Sequence, residues 1–237
     1  AALLNMIVNQ PLEYFPGEKS IYSDIGFMIL GYIVQCVSGE RLDHYVHELV
    51  FCPLGLGKGS GNLFFVDLSD SILTDTFKKK YRFAATEDCP WRKKILKGEV
   101  HDDNAHVMGG IAGHAGLFGT AEGIYTLLTE LDLCFRGKKK DGLFEKKLVE
   151  RFFERNEKYG RTLGFDCPSA QGSASGRYFS EASVGHLGFT GVSFWMDMDK
   201  SVIIILLSNR VHPFRENSEI KKFRPLVHDI IMEELFY

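Results

Sequence analysis

Groups that can transfer protons or hold a ligand are concentrated in residues 185–191, which read Gly-His-Leu-Gly-Phe-Thr-Gly. The imidazole of His186 can donate or accept a hydrogen bond, and Thr190 adds a hydroxyl. The flanking glycines allow the backbone to approach a ligand closely or to adopt a positive φ. The pattern predicts a ligand-facing wall, and the alternative is a hydrogen-bonded structural histidine.

A second group, Tyr22-Ser23-Asp24, stands at the start of a predicted helix. A phenol and a carboxylate at this position can transfer protons or contact a substrate. Each residue also has a structural interpretation. Tyr22 can close the helix start with its hydroxyl on a carbonyl, and Asp24, like Ser23, can cap the helix. The residues alone leave both interpretations open.

Imidazole, carboxylate and amide groups are also frequent between residues 101 and 114, a pattern that raises the question of a metal site. The side chains are His101, Asp102, Asp103, Asn104, His106 and His114. Such ligands suit Zn²⁺ or Mn²⁺, but their spacing does not match a His-Glu-x-x-His helix. Hydrogen bonds between loops are therefore the preferred interpretation, and neither a metal nor another cofactor is predicted. His114, which lies among glycines, is expected to pack one wall of the cleft.

A hairpin and a helix are predicted to position these groups. Residues 192–196 are predicted as a strand, 198–201 as a tight polar turn and 202–207 as a second strand buried on both faces. Apolar side chains after Asp24 recur at helical spacing as far as Gly39, where a C-terminal cap belongs. This pattern predicts a buried helix with Tyr22 at its mouth.

The rest of the chain predicts further helices, one possible strand and several loops. A short helix opens the chain, and further helices are predicted at residues 42–50, 120–135, 143–156 and 218–235, with a possible strand at 163–167. Residues 86–90, 98–104 and 109–119 have no clear period and are predicted to be packed loops.

The predicted fold class is α+β, in which a helical lobe packs against a mainly antiparallel sheet. Residues 1–160 form the mainly helical and loop lobe, and residues 161–237 form the sheet hairpin and a terminal helix, within one domain. About three or four strands are predicted where such a sheet usually has roughly five. We therefore expect that N-terminal strands lie outside this chain.

The composition narrows the classes of partner. The 28 basic and 31 acidic residues give a net charge of −3, and the lysine runs at 78–80 and 138–140 are short, so no nucleic-acid partner is predicted. No apolar stretch is long enough for a membrane span. Five cysteines without Cys-x-x-Cys spacing predict buried free thiols. The chain does not begin with Met, so a signal cannot be assessed and the compartment stays undetermined, with the cytoplasm slightly favoured.

Three segments together resemble motifs of one enzyme superfamily. Tyr22-Ser23-Asp24-Ile25-Gly26-Phe27 resembles a Tyr-x-Asn element, Gly113-His114-Ala115-Gly116-Leu117-Phe118 a glycine-rich loop, and residues 185–191 a Lys/His-Thr/Ser-Gly strand. The superfamily is that of the serine β-lactamases and penicillin-binding proteins, specifically the branch with class C β-lactamases, D-alanyl-D-alanine carboxypeptidases and esterases. Order and spacing agree across nearly the whole chain.

The resemblance implies a β-lactamase/transpeptidase-like fold and acyl transfer through a serine ester, on a small ester, amide or β-lactam substrate. It implies that Tyr22 is the general base and that His186 hydrogen-bonds the phenolate or the substrate. A phenol has a reference pKa of about 10, so neighbouring cations would have to lower the pKa of Tyr22. Substrate-binding positions implied by the resemblance are Asp24, His114, Gly188, Phe189 and Thr190, with the Phe189 N–H as an oxyanion donor.

Three departures from the family pattern affect these expectations. The only Ser-x-x-Lys, Ser218-Glu219-Ile220-Lys221, follows the third motif, whereas the family places its nucleophile well before the tyrosine. Asp24 replaces an asparagine, and an ionised carboxylate only accepts hydrogen bonds. Leu187 replaces the hydroxyl residue that helps the family to bind a substrate carboxylate.

The sequence therefore favours the interpretation that this chain is the C-terminal part of a serine hydrolase. In this interpretation the chain carries the second and third motifs without the nucleophile and is inactive alone. The nucleophile helix that would complete the core is also expected to be missing, which would leave an apolar groove for the protein's own N-terminal segment or a second copy. The alternative is a non-catalytic homologue that binds a ligand or partner, which Leu187 favours. A metal-dependent hydrolase that uses the loops between residues 101 and 114 is a third hypothesis.

Overall fold

The computed structural model describes residues 2–57 and 62–237. Helices in these ranges are α1 (Ala2–Val8), α2 (Asp24–Ser38), α3 (Leu42–Val46), α4 (Ser71–Lys80), α5 (Asp103–Val107), α6 (Ala121–Phe135), α7 (Lys146–Phe153) and α8 (Ile220–Phe236). Strands are β1 (Leu63–Phe65), β2 (Ala85–Cys89), β3 (Lys94–Lys97), β4 (Leu117–Gly119), β5 (Val184–Leu187), β6 (Ser193–Asp197) and β7 (Val202–Leu206). The strands pair as β1–β4, β2–β3 and β5–β6–β7, and every pair is antiparallel. The mixture of helices with antiparallel sheets confirms the α+β class.

Helix α2 begins and ends as its sequence predicts. The Ser23 side chain accepts a hydrogen bond from the backbone N–H of Ile25 at 3.2 Å and so caps the first turn. Gly39 follows the last turn with a φ of 73° and donates its N–H to the Gln35 carbonyl. The prediction that α2 is buried is wrong for this chain, because only Met28 and Gly31 in the helix are buried.

Helix α3 continues into a π-helical turn, His47–Phe51, which sequence periodicity alone does not reveal. The predicted helix at residues 42–50 is therefore present, but its second half is wound more widely than an α-helix. Phe51 and Leu56 at the end of this segment are 5% and 2% exposed and pack with Leu63 in one small core cluster.

The middle of the chain contains more regular structure than the sequence predicts. Residues 86–90, predicted to be a loop, lie almost entirely in β2, which pairs with β3. Helix α5 starts inside the predicted loop at 98–104, and β4 ends the predicted loop at 109–119. The strands have three to five residues each, which is too few for a clear two-residue alternation.

The β5–β6–β7 sheet contains the predicted hairpin. His186 lies opposite Phe194, and Trp195 lies opposite Ile204. Residues 198–201 form the turn between β6 and β7 as predicted. Strand β7 was predicted to be buried on both faces, but only Ile204 falls below a tenth exposed and its neighbours are half-buried.

The two faces of this sheet pack against different helices. One face contributes to a core cluster of Leu128, Cys134, Val149, Phe153, Val184, Met196 and Met198, which brings in α6 and α7. The other face contributes to a cluster of Phe179, Trp195, Ile204 and Met232, which brings in α8. The strand that carries His186 is therefore held within a covered sheet.

Three further sequence expectations need correction. The helix predicted at 143–156 is shorter, because α7 spans Lys146–Phe153. The possible strand at 163–167 contributes only isolated bridges, which pair Asp166 with Arg161 and with Gly185. All five cysteines are free, but Cys36 and Cys52 are exposed rather than buried.

Within the described residues, no single helix is both long and apolar enough to cross a membrane. Helix α2 and the following helix Leu42–Phe51 are long and apolar enough only when they are taken together, and a bend of 78° separates them.

Candidate active site

Tyr22 lies in the extended segment immediately before α2, and its side chain is 58% exposed. Its ring faces His186 on β5, with 6.5 Å between the ring centroids and 41° between the ring planes. The Nδ1 atom of His186 lies 3.0 Å from the Leu187 carbonyl. The structure thus brings together the two residues that the sequence predicts to be catalytic, although they are 164 positions apart in the sequence (186 minus 22).

An ion pair that the sequence did not reveal completes this side of the site. Arg161 bonds to Asp166 at 2.5 Å, and its guanidinium carbon lies 5.8 Å from the Tyr22 ring centroid. Backbone bonds between Asp166 and Gly185, at 2.7 and 3.0 Å, attach this pair to the start of β5. No sequence pattern marked Arg161 or Asp166, because isolated bridges have no periodicity.

The pKa of Tyr22 is raised, contrary to the expectation that neighbouring cations lower it. Partial burial of the phenol is the largest cause, followed by the negative charges of Asp24 and Asp166. Arg161 acts in the opposite direction but does not outweigh them. Among the described residues, the surroundings of Tyr22 therefore favour the neutral phenol.

Asp24, which neighbours Tyr22, stands beside Asp102 and His114. One potential ligand atom from each of the three residues lies within 4.8 Å of the other two. Their proximity depends on Gly113, because a β-carbon built there would lie 2.2 Å from the Phe27 carbonyl oxygen of α2. Only glycine allows the loop at residue 113 to pack this closely on the helix.

Asp102 is the residue that organises this cluster. It caps α5 by accepting a hydrogen bond from the Ala105 N–H at 2.7 Å, and it bonds to His114 Nε2 at 2.9 Å. The bond from His114 is the largest cause of the lowered pKa of Asp102. The His114 side chain is 3% exposed, so it packs behind the two carboxylates instead of lining the open surface.

The side chains between residues 101 and 114 that raised the question of a metal site do not come together as one set. Asp102 and His114 join Asp24, and these three are donors that suit Zn²⁺ or Mn²⁺. His101 instead lies 3.2 Å from the buried Glu87 carboxylate, and Asp103 pairs with Arg92 and Arg215. His106 packs edge-on against Trp91.

Gly188, Phe189 and Thr190 form the tight turn that joins β5 to β6. The Gly188 N–H donates to the Val192 carbonyl at 2.8 Å. Gly191 closes the turn with a φ of 121°, a backbone conformation that favours glycine. The Phe189 N–H donates to no other residue in the described ranges.

Two arginines that the sequence did not mark hold this turn. Arg210 donates from Nε to the Phe189 carbonyl at 2.7 Å, and its guanidinium carbon lies 4.1 Å from the Phe189 ring centroid. Arg224 on α8 donates from Nη2 to the Gly188 and Val192 carbonyls at 2.8 and 2.9 Å. The other face of the turn is covered by His101, whose ring stacks with Phe189 at 5.6 Å.

Leu187, which replaces the hydroxyl residue of the resemblance, packs into the core. It contacts the cluster that Trp195, Ile204 and Met232 form between the sheet and α8. Gly185 is required by the same packing, because an added β-carbon would lie 2.4 Å from the Trp195 ring. The glycine at 185 is therefore explained by contact with Trp195 and not by a ligand.

Comparisons with known proteins agree with the fold and the motifs. The family model described as Beta-lactamase matches residues 1–227. A protein of Escherichia coli strain K12, named "Putative D-alanyl-D-alanine carboxypeptidase", is 35% identical over 216 residues, which are 88% of this chain and 49% of that protein. The chain thus spans about half the length of the curated relatives it matches.

Solved structures show the same fold at low identity. A β-lactamase from Mycobacterium bovis aligns with a TM-score of 0.63 and 16% identity over 93% of this chain and 66% of that one. A penicillin-binding protein from Bacillus halodurans aligns with a TM-score of 0.61 and 17% identity over 95% of this chain and 59% of that one. The chain belongs to the β-lactamase family, within the superfamily of serine β-lactamases and penicillin-binding proteins.

Proposed function

We propose that this chain supplies the tyrosine motif and the third motif of a site that transfers an acyl group from an ester, amide or β-lactam through a serine ester. The observation that supports this most directly is the facing pair of Tyr22 and His186, 6.5 Å apart between ring centroids. The N–H of Phe189, which has no partner in the part of the chain that the structure describes, adds a donor for the oxyanion that forms when a carbonyl is attacked.

In this proposal Tyr22 is the general base and His186 hydrogen-bonds the phenolate or the substrate. The raised pKa of Tyr22 means that the proton transfer needs an additional cation beside the phenol. In the family this cation is the lysine of the Ser-x-x-Lys motif. The only such motif here begins at Ser218, an exposed residue just before α8, and we assign it no role.

We propose that the nucleophile is not among these 237 residues and that the exposed side of α2 receives the segment that carries it. Ile25, Leu30, Ile33 and Val37 on this helix are 45%, 54%, 47% and 83% exposed. Apolar surface of this kind is stabilised when another segment covers it. The cover is the protein's own N-terminal segment, or a second copy when that segment is absent.

The test compares the 237-residue chain alone with the same chain co-expressed with the N-terminal half of the E. coli relative or joined to its own upstream coding sequence. We expect that the chain alone hydrolyses neither a nitrophenyl ester nor a chromogenic cephalosporin. Intact-mass analysis of the chain alone should detect no covalently bound serine-directed probe. Either activity or probe uptake should appear in the combined protein.

In an active combination, Tyr22→Phe should lower kcat about 10²-fold or more. The control is Tyr125→Phe, because Tyr125 is 53% exposed on α6 and outside the site. Stoichiometric labelling of the chain alone would overturn the assignment of the nucleophile to another segment. Equal activity of the two tyrosine variants would overturn the role of Tyr22.

The second candidate, a non-catalytic homologue that binds a ligand or partner, is favoured by the packing of Leu187 into the core. In that case the combined protein should bind a peptide that ends in D-alanyl-D-alanine, or a related acyl compound, without turnover. Product formation by the combined protein would exclude this candidate.

A further inference from the structure

Three potential metal ligands lie on the π-helical turn His47–Phe51 and its C-terminal cap Cys52, where residues 47–52 read His-Glu-Leu-Val-Phe-Cys. One donor atom from each of His47, Glu48 and Cys52 lies within 4.8 Å of the other two. On an ideal α-helix, residues five apart point about 140° away from each other, because each residue turns the chain by about 100°. The proximity of His47 and Cys52 therefore depends on a departure from α-helical winding.

The π-turn provides that departure. The Cys52 N–H donates to the His47 carbonyl at 2.8 Å, and the Leu56 N–H donates to the Phe51 carbonyl at 2.7 Å. Both bonds connect residues five apart and bring positions i and i+5 onto the same side. Burial of Phe51 and Leu56 holds the turn in place. As a result, the Cys52 sulfur lies 3.2 Å from His47 Nε2.

This separation is close to the one that a metal ion requires. A tetrahedral zinc ion with bonds of about 2.3 Å to sulfur and about 2.0 Å to nitrogen places those two ligand atoms about 3.5 Å apart. The imidazole is also held in position, because it packs on Gly57, where an added β-carbon would lie 2.9 Å from His47 Cε1. A carboxylate oxygen of Glu48 lies within 4.8 Å of both of these ligand atoms.

The ligand types select the ion. A thiolate, an imidazole and a carboxylate form a borderline-soft set, which suits Zn²⁺ and disfavours Mg²⁺ and Ca²⁺. Glu48 and Cys52 are exposed and His47 is half-buried, so a fourth position remains open to water. We propose that His47, Glu48 and Cys52 form a surface site for an exchangeable zinc ion, built from residues that take no part in the proposed acyl-transfer site.

Binding is tested by titrating the reduced, chelator-treated 237-residue chain with Co²⁺, which reports a bound thiolate through a near-ultraviolet charge-transfer band. We expect about one equivalent of Co²⁺ to produce the band and Zn²⁺ to displace it. Cys52→Ser should abolish the band, and His47→Gln and Glu48→Gln should weaken binding about tenfold or more. Because the Cys52 thiol must release its proton to solvent, binding should also strengthen as pH rises.

The matched control is Cys36→Ser, since Cys36 is the other exposed cysteine and should be dispensable. Circular dichroism of each variant establishes that the fold is retained, and the Tm of the unmutated chain should rise with Zn²⁺ while that of Cys52→Ser should not. A band that is absent from the unmutated chain, survives Cys52→Ser or disappears in Cys36→Ser would overturn the proposal. None of these readouts depends on acyl transfer.

Discussion

The two sides of the candidate site differ in how their apolar side chains are covered. On the third-motif side, Trp195 and Met196 are each 1% exposed, because helices pack on both faces of the β5–β6–β7 sheet. On the tyrosine side, Ile33 and Val37 of α2 are 47% and 83% exposed. Both regions have strongly apolar sequences. An apolar pattern therefore predicts which face is stabilised by packing against another segment, but it does not predict whether that segment is present.

The largest effect is expected at the centre of the covered side. Trp195→Ala should lower the free energy of unfolding by about 3–5 kcal/mol, because it removes a large side chain from a filled core. Phe214→Ala is the control, since Phe214 is 66% exposed and its loss should change the free energy by no more than about 0.5 kcal/mol. Urea denaturation measures both. Similar losses for the two variants would contradict the contrast between covered and open regions.

The next effect is expected where the loop that carries His114 contacts α2. Gly113→Ala should lower the free energy of unfolding by about 1–3 kcal/mol, because the new methyl group would meet the Phe27 carbonyl. Gly26→Ala on the same helix is the control, because nothing lies within 4 Å of the position that its methyl group would take, and it should be neutral or stabilising by up to about 1 kcal/mol. Thermal unfolding distinguishes the two. A neutral Gly113→Ala would mean that α2 can move away from the loop.

A smaller, pH-dependent effect is expected from His114→Gln. The bond from His114 lowers the pKa of Asp102 in the folded protein. The bond therefore adds to the free energy of unfolding above the pKa of Asp102 in the unfolded chain, about 3.9, and this stabilisation is lost as pH falls through the pKa of Asp102 in the folded protein. The variant should therefore be less stable by about 1 kcal/mol at pH 7, and the difference should shrink at acid pH. Denaturation at several pH values measures it. His44→Gln, on an exposed side chain, should show no such trend.

The charges around Tyr22 should change its titration with little effect on stability. Asp24→Asn should lower the pKa of Tyr22, because a negative charge next to the phenol is removed, whereas Arg161→Gln should raise it. Ultraviolet absorbance of the phenolate, corrected with Tyr22→Phe, follows this titration. Shifts of the same sign in both variants would show that a structural change, and not charge, controls the pKa of Tyr22.

The smallest change in stability is expected on the open side. Val37→Ser should alter the free energy of unfolding by no more than about 0.5 kcal/mol, because the side chain is 83% exposed. The same substitution should weaken self-association, or binding to an N-terminal segment, if α2 is the docking face. Sedimentation velocity measures the association. Unchanged association in both Val37→Ser and Ile33→Ser would exclude this face.

Local signals allowed much of the fold to be predicted. Ser23 and Gly39 mark the ends of α2, Thr120 marks the start of α6, and the polar turn at 198–201 marks the hairpin. The short strands β1 to β4 escaped prediction because three to five residues show no reliable period. Arg161, Arg210 and Arg224 also escaped prediction, since their partners are backbone carbonyls or residues that lie nearby only after folding.

By itself, the sequence determined the family motifs, the α+β class and the pairing of Tyr22 with His186 as candidates for one site. The motifs and the fold class depend on residue type and local spacing, which a chain carries before it folds, and the pairing of Tyr22 with His186 followed from the resemblance of their two motifs to one family. Only the tertiary structure decided that Asp102 and His114 lie beside Asp24, that partial burial and then neighbouring carboxylates raise the pKa of Tyr22, and that Leu187 packs against the core. These properties depend on distance and burial between residues far apart in the chain, which no local pattern specifies.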